Sequence, residues 1–156
     1  MQRLNHAFAV RLLLPILLWA ASASLASAAG YWTCSDGKWT AVGVPDYAMP
    51  LKACGAELEI PRTQAACEQA GGHWAPAGIF PQPICRMPTH DGGRVCGDAE
   101  ECEGFCLAEL TSEQRDLMMR KPQKLAILGK CTPVTPVFGC MAIVKQGFVT
   151  GLLCRD

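Results

Sequence analysis

The chain has no surplus of charge of either sign, with 14 Lys and Arg against 14 Asp and Glu. Nucleic-acid binding rests on clustered basic side chains that neutralise phosphates, so this balance argues against a nucleic-acid partner. Nor is there a run of about 20 apolar residues that would cross a bilayer. The best apolar stretch, "LLLPILLWAA", is shorter than that and lies near the start. No Cys-x-x-Cys occurs, which removes the commonest metal and redox spacing. No Ser or Cys stands in a recognisable nucleophile motif, and no paired-carboxylate pattern suggests general acid–base work. Enzymatic function, a metal centre and a cofactor are therefore not expected.

What is present begins with a targeting pattern. Arg3 and Arg11 precede the apolar run, and small residues follow through "SASLASAAG". These are the three regions of a secretory signal peptide spanning 1–28, with cleavage after Ala28 favoured and Ala29 nearly as suitable. The first cysteine is Cys34, so no lipoprotein acceptor stands at the cut. Both N-terminal arginines and none of the acidic residues lie in 1–28, so the remainder carries a net charge of −2. The expected location is periplasmic or secreted, with no membrane span after signal cleavage. Residues 29–156 are of a length that suits one domain, an aromatic-rich lead segment over 31–60 and a main body over 61–156.

All ten cysteines follow the signal: Cys34, Cys54, Cys67, Cys85, Cys96, Cys102, Cys106, Cys131, Cys140 and Cys154. At this density in an exported chain, disulfides supplement a small core, and five bridges with no free thiol are expected. Spacing leaves the connectivity open. Cys140 and Cys154 lie seven residues either side of Gly147, the centre of a hairpin turn Lys145-Gln146-Gly147, so they can face each other. Either can equally reach Cys131.

Local signals suggest a small disulfide-rich α+β fold, mostly irregular, with short helices and a small C-terminal antiparallel sheet. Thr63 caps a short helix in "PRTQAACEQAGG", which Gly71-Gly72 stops and which places Cys67 on its inner face. Thr111 and Gln114 have capping-box spacing ahead of a helix near 112–121 that ends at Pro122, with Leu117 and Met118 facing the body. Four prolines between Trp74 and Arg94 argue against long regular elements there, an edge strand in "HWAPAGIF" excepted. Short strands are expected around Trp39 and over 56–60. "KLAILGKC", "VFGCMAIV" and "FVTGLLC" read as strands, with a ladder from Leu125 onward making one three-stranded sheet.

Two stretches share Gly, a basic residue, Trp and a second Gly four positions on: "GKWTAVG" from Gly37 and "GHWAPAG" from Gly72. Trp39 and Trp74, with Trp32, are the candidate ligand platforms, because flat exposed indoles stack on sugar rings. Trp also fills small cores. The flanking glycines favour packing for Trp74 and Trp39, and Trp32 is expected to be partly exposed. The acidic residues Asp91, Asp98, Glu100, Glu101 and Glu103 offer oxygen ligands to calcium, but a solvated acidic loop is the expectation. His90 beside Asp91 reads as a turn histidine, and His73 as structural or solvent-facing.

From Cys67 to Cys106 the pattern Cys, Gly71-Gly72-x-Trp74-x-x-x-Gly78, Cys85, Pro88-Thr89-x-Asp91-x-Gly93-Arg94, Cys96, Cys102, Cys106 resembles a group of small exported bacterial proteins that are functionally uncharacterised. The likeness extends to the C-terminus. It implies export and a cysteine-rich architecture, and brings no catalytic residue. The function expected is a non-catalytic, disulfide-stabilised binding or inhibitor-like module presenting rigid loops, such as 86–106, to a protein partner or the cell envelope. The alternative is a glycan or cell-wall binder using exposed Trp.

Overall fold

The computed structural model describes residues 29–121 and 123–156, with Phe80 described by its backbone alone. The signal-peptide reading of 1–28 lies outside the described residues. Among these, no helix is long and apolar enough to cross a membrane.

The lead segment opens with a hairpin of β1 (Tyr31–Ser35) and β2 (Lys38–Val42). Asp36 and Gly37 take φ of 50° and 71° in its two-residue turn. Two consecutive positive φ values match the right-handed twist of the strands, which is why Asp-Gly turns a hairpin so well. Residues 56–60, expected as a strand, form none. The disulfide Cys34–Cys54 ties the following loop back onto β1.

Helix α1 (Gln64–Gln69) starts where the Thr63 side chain accepts the Ala66 N–H. It ends in a Schellman arrangement: Gly71 has a φ of 79°, its N–H reaches the Glu68 carbonyl, and the Gly72 N–H reaches that of Cys67. The chain then enters β3 (His73–Ala77) and β4 (Phe80–Pro88), an antiparallel pair. The nine-residue β4 corrects the expectation that prolines exclude a long element here. Pro76 faces Pro83 across the pair. Two facing prolines are a non-hydrogen-bonded pair, so the missing donors remove no ladder bond. The far edge of β4 meets β9 (Val134–Thr135) only at Met87 and Pro88.

Next come β5 (Val95–Cys96), a single 3-10 turn (Ala99–Glu101) and β6 (Cys106–Leu107). Helix α2 (Ser112–Arg120) carries the anticipated capping box between Thr111 and Gln114. It buries Met118, whereas Leu117 is 46% exposed, contrary to expectation. The apolar residues of the helix are too few for a broad inward stripe, and one side chain anchors it.

The C-terminal strands do not form one three-stranded sheet. β7 (Leu125–Ala126) pairs with β11 (Phe148–Val149), and β10 (Gly139–Met141) pairs with β12 (Leu153–Arg155). β8 (Gly129–Cys131) lies between β5 and β6. Residues 106–108 are in turn hydrogen-bonded to 142–144. All sheets are small and antiparallel. The fold is strand-rich with two short helices, held by five disulfides.

All ten cysteines are paired: Cys34–Cys54, Cys67–Cys85, Cys96–Cys106, Cys102–Cys131 and Cys140–Cys154. Cys140 stands directly opposite Cys154, as the symmetry about Gly147 suggested. Half-cystines are also core material. Cys96, Cys102, Cys106 and Cys131 are buried with Ala108, Met118, Ala142, Val144 and Val149, and a second cluster is Cys67, Cys85 and Met87. Sulfur thus replaces much of the branched aliphatic volume that a small chain lacks.

Candidate binding site

At the acidic run, too, the structure overturns expectation. Asp91, Asp98 and Glu101 are buried rather than solvated. Each carboxylate caps backbone N–H groups that the irregular chain leaves unpaired. Asp98 accepts from Glu100 N at 2.9 Å and Gln146 N at 2.7 Å. Asp91 accepts from Glu103 N at 2.8 Å. On Glu101 a single oxygen, Oε1, receives Trp32 N and Tyr47 Oη at 2.8 Å and Gly97 N at 3.2 Å. Burial raises the Glu101 pKa above its ordinary 4.5, and the converging donors work against that rise. Burial, then Glu101 itself, raise the Tyr47 hydroxyl well above its usual range.

These five carboxylates do not converge on a cation site. Glu100 and Glu103 line a separate cleft with Glu57, and Lys52 lines it too. Its ammonium donates to the Cys102 carbonyl at 2.9 Å, and burial lowers its pKa. The buried sulfurs of Cys96, Cys102 and Cys106 approach one another, as do Asp91, Cys102 and Cys131, but every sulfur involved is in a disulfide. His90 points outward, 87% exposed, with Nδ1 3.2 Å from the Glu103 carboxylate. Asp91, its sequence neighbour, is turned inward, so the two make no catalytic pair. His73 is exposed on β3.

The three candidate tryptophans fall in different settings. Trp32 and Trp39 are half-buried, and their indole N–H groups donate to the Tyr47 carbonyl at 3.4 Å and the Lys52 carbonyl at 3.0 Å. Trp74 is also half-buried, but among the described residues its indole N–H has no acceptor. Trp39 faces Cys34 across β1–β2, and Trp74 faces Cys85 across β3–β4. In the first case Trp lies on the second strand of its hairpin, in the other on the first. The two copies therefore share a Trp–half-cystine pairing but not a common order of elements.

Trp74 is braced from one side and open on another. With Leu58 and Ile60 it packs on Cys67, Cys85 and Met87. Gly72 makes this packing feasible: a Cβ there would lie 2.6 Å from Met87 Sδ and 2.7 Å from both sulfurs of the bridge. Trp74 also lines a cleft of about 680 Å³. Ile60, Pro61, Pro83, Ile84 and Pro136 form its apolar walls, and Glu59, Arg62 and Arg155 its charged groups. Arg155 also stacks over the Phe138 ring, 5.9 Å from its centre. Two guanidiniums against one carboxylate give the cleft a positive character. Sequence reading singled out Trp74 but not Arg62, Arg155 or Pro136, which arrive from remote segments with no local signal.

The architecture and this cleft define a small, disulfide-rich, strand-based protein. No protein-family model, curated protein or solved structure matches it.

Proposed function

We propose that the protein is a non-catalytic binding module of an oxidising, extracytoplasmic compartment, and that it holds an extended, acid-bearing segment of a protein partner in the Trp74 cleft. The observation that carries this reading is Trp74 itself. It is braced from behind by Cys67, Cys85 and Met87, and it stands in a positively charged, proline-walled cleft. Proline and indole walls suit extended segments, whose ordering cost is low, and the arginines complement a carboxylate. The Cys67–Cys85 bridge supports the reading by fixing the platform before binding. The side chains of Arg94, Asp98, Glu101 and Glu103 are bonded within the fold, which makes the 86–106 loops the weaker candidate surface. Five disulfides fit an oxidising compartment, and the likeness of Cys67 to Cys106 to exported proteins supports the same location.

A second reading, a cell-envelope glycan on the same platform, draws on the combination of a flat indole with Arg and Glu groups that bond hydroxyls. Titrating intrinsic fluorescence with an acidic, proline-containing peptide and separately with peptidoglycan fragments distinguishes the two. The peptide is expected to shift the emission of the native protein but not of Trp74→Phe. A response to the glycan alone favours the second reading, and silence to both overturns the site.

A further inference from the structure

The five disulfides differ sharply in access. Cys67–Cys85, Cys96–Cys106 and Cys102–Cys131 are buried at both ends. Cys34–Cys54 is half-buried, and Cys140–Cys154 is exposed at both ends. Thiol–disulfide exchange requires a thiolate to reach a sulfur along the S–S axis, so access is the first determinant of rate. Charge is the next. The cation at this bridge is Arg115, one of whose nitrogens lies 3.4 Å from the Cys140 carbonyl. Positive charge at this bridge favours both the arriving and the departing thiolate. The half-buried competitor is less well placed: the cleft that Cys34 lines carries Glu57, Glu100 and Glu103 against Lys52.

The bridge also has something to release. β12 is held to the molecule by its short pairing with β10 and by this disulfide. Leu153 is 53% exposed and contributes little burial. β12 carries Arg155, which lines the Trp74 cleft, and the neighbouring Asp156 backbone lies against Gly78 at the β3–β4 turn.

We propose that Cys140–Cys154 is a thiol–disulfide exchange site for a dithiol reductant, and that opening it frees β12 and withdraws Arg155 from the Trp74 cleft. One thiolate of the dithiol attacks Cys154 Sγ, the Cys140–Cys154 bond breaks, and Cys140 leaves as a thiolate beside Arg115. The second thiolate then attacks the reductant's sulfur in the mixed disulfide and expels Cys154. Two electrons have passed to the protein, the dithiol departs as a disulfide, and its two protons end on Cys140 and Cys154 through solvent. The exchange site stands on access and charge alone. Only its effect on ligand binding rests on the cleft reading.

Limiting dithiothreitol added to the native, oxidised protein, with alkylation at intervals and peptide mapping, tests the site. Cys140 and Cys154 are expected to be labelled about tenfold faster than any other pair, since rate follows access and charge. Labelling of Cys34 and Cys54 first, or of all five pairs together, overturns it. Arg115→Glu should slow opening by anionic glutathione relative to neutral mercaptoethanol, and an unchanged ratio refutes the electrostatic contribution. Hydrogen exchange at 153–155 should accelerate after opening while β3 and β4 stay protected. Unaltered protection of β12 refutes the release. A cleft that binds no peptide or glycan would refute the proposed function and leave the labelling order to decide the exchange site.

Discussion

Glu101 is only 3% exposed, yet it joins the lead segment to the main body through Trp32, Tyr47 and Gly97. Glu101→Ala leaves three donors without an acceptor and should cost roughly 3 kcal/mol in denaturant unfolding. Glu101→Gln keeps an oxygen at the Oε1 position and should cost about 1 kcal/mol, within the range of a single neutral hydrogen bond. The pH dependence follows from burial raising the carboxyl's pKa above 4.5. The folded protein holds a proton that the unfolded chain releases first, so this group's contribution is fully present below about 4.5 and is lost as pH climbs through the raised value. Glu101→Gln should flatten that part of the stability curve, and an unchanged slope would refute the assignment. None of this was legible in "CGDAEECEGFC", where acidic neighbours read as a solvated loop. The donors they cap, Trp32 and Gln146, lie far away in sequence.

Elements were legible where their determinants are local. Thr63 and Gly71 mark both ends of α1, and Thr111 with Gln114 marks the start of α2. Thr111→Ala should destabilise by about 1 kcal/mol. Because Met118 is the one buried side chain of α2, that loss should emerge as faster hydrogen exchange over 112–120 before any global change. The Asp36-Gly37 turn is an equally local signal, and it joins the strand expected around Trp39 to β1. β4 was missed for a different reason: whether prolines tolerate a strand depends on which face of the ladder they occupy, and that is set by β3 and β9. The partners of β7 to β12 were illegible, since apolar composition marks a strand without naming its neighbour.

For the whole molecule, the bridge count followed from composition and compartment, while the pairing depended on the fold. Cys102–Cys131 spans 29 residues, the longest closure of the five, and is buried in the main core. Replacing both cysteines by Ala should cost about 3.5 kcal/mol by loop-closure entropy alone, comparable with the net stability of a small fold. Calorimetry should show no cooperative transition at 37 °C. The same connectivity bears on the order in which the chain oxidises. Cys34–Cys54, Cys67–Cys85 and Cys140–Cys154 each join cysteines adjacent in sequence, so a chain oxidised from its N-terminus forward closes them correctly as they emerge. Cys102 instead lies within the Cys96–Cys106 loop and must wait for Cys131. Sequential oxidation would first join Cys96 to Cys102, which confines the need for a disulfide isomerase to one quartet of cysteines, at the centre of the main core.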